Sequence, residues 1–198
     1  MTDDSSYSAL FGAATKLIRG NISLDGQTLG RPGFFEKRRL VKALRLLEKA
    51  ALIEPRYGAA SLMAAKVEER LGNPANSLLW LRRAREVAPD NVIVSLELGA
   101  ALSRQGHQSE AAKVLSTAAE ISPDDPRVQS NLGVALLMAG DVAGAVTAFH
   151  QLVLLEPQNS MNSCFLALAK SVQAGYKPRP TREAELIRSL QEATQEKA

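Results

Sequence analysis

A stretch of 34 residues decides the fold of this chain. Residues 126–159 read PRVQSNLGVALLMAGDVAGAVTAFHQLVLLEPQN. Prolines recur at the same 34-residue interval, as Pro55, Pro89, Pro123 and Pro157. Glycines share that interval, as Gly72, Gly106 and Gly140. Two kinds of helix-breaking residue with one common period indicate an array of internal repeats.

Each repeat is predicted to contain two helices. Apolar residues keep helical spacing before the glycine, as at Leu98 and Leu102, and after it, as at Ala111 and Leu115. The glycine lies where the first helix must end and the chain must turn. The proline follows the second helix, which it cannot prolong. The chain is therefore predicted to be an all-α solenoid of antiparallel helix pairs.

The repeat resembles the tetratricopeptide repeat (TPR). Residues 126–159 match that family at its Leu-Gly, Gly-Asp, Ala, aromatic and Pro positions, which here are Leu132-Gly133, Gly140-Asp141, Ala145, Phe149 and Pro157. Residues 92–125 match through Leu98-Gly99, Gly106, Ala111, Ala118 and Pro123, and residues 58–91 match more loosely. The resemblance implies a TPR superhelix whose first helices line a concave groove.

The period also predicts the organisation of the chain. Three complete repeats occupy residues 58–91, 92–125 and 126–159, and a half-repeat follows at 160–175. Residues 1–57 are predicted to form an earlier unit, with helices near Ser6–Arg19 and Lys37–Ile53. A glycine-rich insertion, about residues 20–36, interrupts that unit and is predicted to be a loop. We expect Phe34 and Phe35 at its end to pack over the first helices; a binding role is the alternative.

Residues 176–198 are predicted to form a linker and a C-terminal capping helix that starts with Thr181 as its cap and reaches about Lys197. Its apolar stripe is formed by Leu186, Ile187, Leu190 and Ala193. Such a helix would cover the open end of the stack. The alternative is that the stripe docks on a neighbouring molecule, which makes a homo-oligomer and a structural self-association role the competing hypothesis.

No pattern in the sequence indicates catalysis, so we expect no enzyme activity, no catalytic residue, no cofactor, no metal site and no small-molecule substrate. His107 and His150 are expected at the surface, and Cys164 is expected to act as a small hydrophobic residue on an apolar helix face. The single cysteine suits a reducing compartment. An acidic N-terminus and the lack of a long apolar run favour a cytoplasmic protein without a membrane span.

The resemblance to the TPR family implies which residues face the groove. The expected partner-binding positions are charged toward the N-terminus and apolar toward the C-terminus, and they are Met63, Lys66, Glu69, Arg70, Glu97, Ala100, Arg104, Arg127, Asn131, Val134, Met138, Phe165 and Leu168. A competing interpretation is that the last helix folds against Phe165 and Leu168, which would make the apolar end part of the core.

The predicted function is that of a protein–protein interaction scaffold or adaptor, which binds a peptide or a helix in the groove. Small size and an alanine-rich composition suggest a bacterial multiprotein assembly as its setting. An alternative is nucleic-acid or anionic-surface binding through segment 31–45, with Arg31, Lys37, Arg38, Arg39, Lys42 and Arg45. The formal charge of only +3 does not indicate nucleic acid. The spread of these cations around the helix, interrupted by Glu36 and Glu48, argues against both forms of this alternative.

Overall fold

A computed structural model describes residues 3–20, 22 and 31–195 of the protein, and the side chains of 4–20, 22 and 31–192. These residues form ten α-helices and no strand. The helices are α1 (Asp3–Ile18), α2 (Phe34–Ile53), α3 (Gly58–Leu71), α4 (Pro74–Val87), α5 (Val92–Arg104), α6 (Gln108–Ile121), α7 (Pro126–Ala139), α8 (Val142–Leu155), α9 (Ser160–Gln173) and α10 (Glu183–Gln195). The all-α prediction is confirmed for the part of the chain that the structure describes.

Glycine and proline end the helices where the period places them. Gly72 and Gly140 directly follow α3 and α7 with φ of +86° and +102°, the left-handed region that glycine enters without steric cost. Each proline of the period lies two residues after α2, α4, α6 or α8. Asp125 and Asp141 start α7 and α8 by accepting hydrogen bonds from the N–H groups of Arg127 and Gly144, both at 2.9 Å.

The helices divide into two compact units, of which the first spans residues 1–94. In this unit α1 packs on α2, α2 on α3, and α3 on α4. The Tyr7 ring lies 5.6 Å from the Phe11 ring and 4.9 Å from the Tyr57 ring, measured between centroids, so it anchors α1 to the start of α3. The main core of the unit consists of Ala14, Ile18, Leu40, Ala43, Leu47, Ala64 and Val67.

The second unit spans residues 95–198 and contains most of α5 and all of α6 to α10. Glycines on its first helices let each helix approach its partner closely. A Cβ atom on Gly99 of α5 would lie 2.6 Å from Leu115 Cγ of α6. A Cβ atom on Gly133 of α7 would lie 2.6 Å from Phe149 Cδ1 of α8. The Leu-Gly positions of the repeat therefore have a packing reason.

The first unit differs from the prediction at the end of the insertion. Phe34 and Phe35 were expected in a loop, but α2 begins at Phe34. The cause is local, because the Glu36 carboxylate accepts a hydrogen bond from the Gly33 N–H at 2.7 Å and so satisfies a free donor at the helix start. Residues 21 and 23–30 of the predicted insertion lie outside the described residues.

The last helix begins at Glu183, one residue later than a cap at Thr181 predicts. Thr181 does not cap it by accepting a backbone N–H. Instead, the Thr181 N–H and hydroxyl both donate to the Glu185 carboxylate, each at 2.9 Å. This ties the end of the linker to the first turn of α10. Ala193 and Lys197 of the predicted helix lie outside the residues with described side chains.

Candidate functional site

The thirteen residues predicted to face the groove all lie on helices that come first in a repeat. The structure places four on α3 in the first unit and nine on α5, α7 and α9 in the second. Those on α3 are Met63, Lys66, Glu69 and Arg70. Those in the second unit are Glu97, Ala100, Arg104, Arg127, Asn131, Val134, Met138, Phe165 and Leu168.

Two of the α3 residues contribute to the first unit's own structure. The Met63 side chain packs against the core formed by α1, α2 and α3. The Arg70 side chain is only 14% exposed, and its Nη2 lies 4.0 Å from Glu36 Oε2 at the start of α2. Arg70 therefore links two helices as well as carrying charge. Lys66 is half-buried and Glu69 is exposed.

A buried carboxylate on α3 is a feature that sequence reasoning missed. Glu68 is buried and accepts hydrogen bonds from Asn73 Nδ2 at 2.8 Å and Asn76 Nδ2 at 3.2 Å. These contacts join α3 to the start of α4. The two asparagines that follow Glu68 at the turn were the available signal. Glu68 thus has a structural role, because both of its carboxylate oxygens accept hydrogen bonds within the fold.

Arg127 is exposed and held in one orientation. Its Nε and Nη2 donate to the two carboxylate oxygens of Asp125 at 3.1 Å and 2.7 Å, a bidentate pair. These hydrogen bonds hold the pKa of Asp125 below its ordinary value. The Arg127 side chain is still 70% exposed. Its remaining N–H donors are therefore available on a positioned guanidinium group.

The apolar end of the predicted groove is core, as the competing interpretation of the last helix expected, and this corrects the site predictions at Met138 and Leu168. Met138 and Leu168 are 7% and 2% exposed and belong to one cluster with Leu186 and Leu190 of α10. The last helix thus folds onto positions that the repeat pattern assigns to the groove. Phe165 is half-buried, and its ring stacks on Phe149 with centroids 5.1 Å apart. Leu186 and Leu190 are buried within the chain, which favours capping over docking on another molecule.

Arg179 fixes the linker that leads to α10. Its guanidinium donates to the Met138 carbonyl at the end of α7 and packs 3.7 Å from the position that a Cβ on Gly140 would take. Lys177 Nζ lies 3.9 Å from Glu192 Oε2 of α10. The linker therefore crosses from α9 back to α7 before α10 begins. The sequence predicted only a linker over this stretch, without its contact to α7.

No described residue group supports a metal site, since the described chain holds no cluster of three His, Cys, Asp or Glu side chains. His107 and His150 are exposed and Cys164 is buried, as predicted. His150 lines a cavity of about 410 Å³ on α7 and α8 with Gln129, Val146, Thr147 and Gln151. Among the described helices, none is long and apolar enough to cross a bilayer.

Phe34 and Phe35 do not pack over the first helices, which corrects the second expectation about the insertion. They are 69% and 77% exposed. Their rings meet edge to face with centroids 5.6 Å apart, and the Arg38 guanidinium carbon lies 5.7 Å from the Phe34 centroid. The two rings form an exposed aromatic pair on the first turn of α2.

The comparisons with known proteins agree with the helix-pair architecture. The sequence profile of the family described as "Tetratricopeptide repeat" matches residues 70–133 and 102–161. No curated protein sequence matches the chain. The repeat fold is that of protein–protein interaction scaffolds.

Several solved structures share the fold at low sequence identity. A structure of MamA has a TM-score of 0.70 and 15% identity, covering 98% of this chain and 94% of its own. YrrB, described as a TPR protein with an unusual peptide-binding site, has a TM-score of 0.63 and 17% identity, covering 79% and 78%. PilF from Pseudomonas aeruginosa has a TM-score of 0.63 and 22% identity, covering 89% and 72%. The family match and the shared fold identify residues 70–161 as tetratricopeptide repeats.

Proposed function

We propose that the chain is a non-enzymatic scaffold that binds an extended peptide or a helix along α5 and α7 of its second unit. The observation that carries this proposal is the change in burial along the predicted groove positions. Arg104 and Arg127 are exposed, and Asn131 and Val134 are half-buried, whereas Met138 and Leu168 are covered by α10. The proposed site therefore stops where α10 begins to cover the first helices.

The chemistry of α7 suggests what the partner carries. Arg127, Asn131 and Val134 follow one another at helical spacing and so share one face. The positioned Arg127 guanidinium suits a carboxylate, the Asn131 amide suits a peptide group, and Val134 suits an apolar side chain. On α5, Glu97 adds an acceptor and Ala100 leaves space. The favoured ligand is a segment with an acidic residue followed by an apolar one.

We also propose Lys66 and Glu69 of α3 as partner contacts in the first unit.

The bacterial multiprotein assembly and the cytoplasmic location also belong to this proposal. Affinity capture with the intact chain from a bacterial host would test the assembly, because a partner that joins the chain in an assembly should be retained with it. Recovery of no partner that binds the purified chain would count against the adaptor role.

Selection of random peptides on the intact protein tests the site. We expect selected peptides to combine acidic and apolar residues. The double variant Arg104→Ala with Asn131→Ala should bind them at least tenfold more weakly, about 1.4 kcal/mol. Lys113→Ala with Gln191→Ala likewise removes one cation and one amide, from exposed positions on α6 and α10, and should leave affinity unchanged. Equal affinity for both double variants would contradict the proposed site.

A further inference from the structure

The side chains on the solvent-facing side of α2 play no part in the proposed peptide site. Five residues of α2 face the protein: Leu40, Ala43, Leu47, Ala50 and Ala51. The opposite side is exposed along the whole helix. We call it the basic–aromatic face, and it consists of Phe34, Phe35, Arg38, Val41, Lys42, Arg45, Lys49 and Leu52.

Positive charge is concentrated on this helix. α2 has six basic and two acidic residues, a formal charge of +4, whereas the whole chain has +3, so the rest of the chain has a formal charge of −1. All six basic residues are exposed, including Lys37 and Arg39 beside the face. Glu36 and Glu48 are half-buried, and Glu36 is engaged with the Gly33 N–H and with Arg70. The two carboxylates therefore do not divide the face.

Apolar side chains are distributed among these cations. Leu52 is 70% exposed at one end of the helix, Val41 is exposed in the middle, and the aromatic pair lies at the other end. Phe34 and Leu52 are separated by about 27 Å along the axis at 1.5 Å per residue. Within the described part of the chain, α1 and α3 cover only the opposite side of α2, so a flat surface can meet this face along the length of the helix.

We propose that the basic–aromatic face docks on an anionic lipid membrane. Phosphate headgroups would pair with the four cations of the face, while the long stems of Lys and Arg lie along the apolar layer. The two phenylalanines, Val41 and Leu52 would enter the boundary between headgroups and acyl chains. The bases of a nucleic acid could stack on the two phenylalanines, but a nucleic acid offers no apolar layer to Val41 and Leu52. An acidic peptide would use only the cations.

Vesicle co-sedimentation of the full chain tests this proposal. The probes are vesicles of phosphatidylcholine alone and vesicles of phosphatidylcholine with phosphatidylserine. We expect binding only when phosphatidylserine is present. Each basic side chain near such a surface strengthens binding by roughly fivefold, so Lys42→Glu with Arg45→Glu should weaken it at least tenfold. Phe34→Ser with Phe35→Ser should also weaken it at least tenfold.

Matched controls separate the face from overall charge and hydrophobicity. Lys113→Glu with Arg188→Glu makes the same change in net charge at exposed positions of α6 and α10. Leu79→Ser with Leu154→Ser removes two other exposed apolar side chains. Both controls should bind within about twofold of the unchanged protein, and circular dichroism should report the same helix content for all variants.

Three outcomes would overturn the proposal. They are no binding to phosphatidylserine vesicles, equal losses in the control variants, and unchanged binding after Phe34→Ser with Phe35→Ser. Binding to single-stranded RNA that depends on Lys42 and Arg45, without vesicle binding, would assign the face to nucleic acid instead. The peptide site is tested by other residues, so failure of one proposal does not imply failure of the other.

Discussion

Gly133 and Phe149 meet between α7 and α8, where no space is left for a methyl group. A Cβ on Gly133 would lie 2.6 Å from Phe149 Cδ1, and the Phe149 ring is fully buried. We expect Gly133→Ala to lower the free energy of unfolding by about 1 to 3 kcal/mol, because the ring would have to shift in a filled core. Urea denaturation monitored by circular dichroism measures this change.

Gly12→Ala is the matched control for that substitution. Gly12 lies within α1, and an added Cβ there would meet no heavy atom within 4 Å. Alanine favours the helix over glycine by about 1 kcal/mol, so this variant should be more stable. If Gly133→Ala and Gly12→Ala were stabilised alike, the close packing on Phe149 would not restrict the size of the residue at position 133.

The Glu185 carboxylate accepts hydrogen bonds from the Thr181 N–H, the Thr181 hydroxyl and Arg182. These bonds favour its charged form and lower its pKa from 4.5 to about 2. A pKa lowered by folding stabilises the folded state above about pH 4.5, and this contribution is lost as the pH falls toward 2. We expect ¹³C NMR titration of the Glu185 carboxyl to give a midpoint near 2.

Variants of the donors test the cause of that pKa. Arg182→Ala and Thr181→Ala should each raise the Glu185 midpoint toward the ordinary value. Arg188→Ala removes a nearby cation of the same helix that makes none of these hydrogen bonds, so it should change the midpoint much less. A midpoint that stays the same in Arg182→Ala would show that this hydrogen bond does not set the pKa.

Residue identity predicts close packing better than it predicts exposure. Gly133 and Phe149 follow from the repeat pattern, because a small residue must face a large one where two helices meet. The burial of Leu168 does not follow from the pattern, which describes only contacts between successive repeats. What covers Leu168 is α10, a helix outside the period. The predicted groove positions all lie on the first helices of their repeats, but Met138 and Leu168 are not accessible there.

At the scale of elements, α10 acts as a cover over the end of α9. Leu190 is buried in the cluster that contains Cys164, whereas Ile187 on the same helix is 48% exposed. An ionised carboxylate is costly in an apolar cluster, so Leu190→Asp should release α10 and uncover the Cys164 thiol. We expect the thiol to react at least tenfold faster with a disulfide reagent, which corresponds to about 1.4 kcal/mol of opening free energy.

Ile187→Asp introduces the same charge on the solvent side of α10 and should leave the reaction rate of the thiol near that of the unchanged protein. Cys164 is the single cysteine, so the reaction reports on one site. If Leu190→Asp reacted no faster than Ile187→Asp, α10 would not be what protects the thiol.

The start of α2 shows why element boundaries are harder to predict than elements. The glycines at positions 26, 30 and 33 indicated a loop up to Phe35. Gly33 instead precedes the helix and donates its N–H to Glu36, three residues later, an arrangement typical of a helix start. The sequence signal was present as Gly33-x-x-Glu36, but the glycine-rich context favoured the other interpretation. Because α2 begins at Phe34, the aromatic pair lies on the exposed face of a helix and not in a loop.

At the scale of the whole molecule, the 34-residue period predicts the fold because each repeat needs only its neighbours to bury its apolar face. The same property limits what the period says about binding. Groove chemistry depends on residues that the repeat leaves variable, and the basic–aromatic face lies beside an insertion that breaks the period. Function at both surfaces therefore depends on particular side chains and not on the repeat.

Local coupling in a repeat array predicts that distant substitutions act independently. Leu47 of α2 is fully buried in the first unit, where α2 packs on α1 and α3, while α7 packs on α6 and α8 in the second. Leu47→Ala should cost about 2 to 5 kcal/mol through the cavity it leaves. Combined with Gly133→Ala, the two losses of unfolding free energy should add to within about 0.5 kcal/mol.

The matched comparison for this double variant is a pair in direct contact. Phe149→Leu should partly relieve the crowding caused by Gly133→Ala, so this pair should show a coupling energy of about 0.5 to 3 kcal/mol in urea denaturation. The two pairs are therefore compared by their coupling energies, which do not depend on how much either single substitution destabilises the protein. A coupling above about 1 kcal/mol between Leu47→Ala and Gly133→Ala would contradict nearest-neighbour stability and would require both units to respond to either substitution.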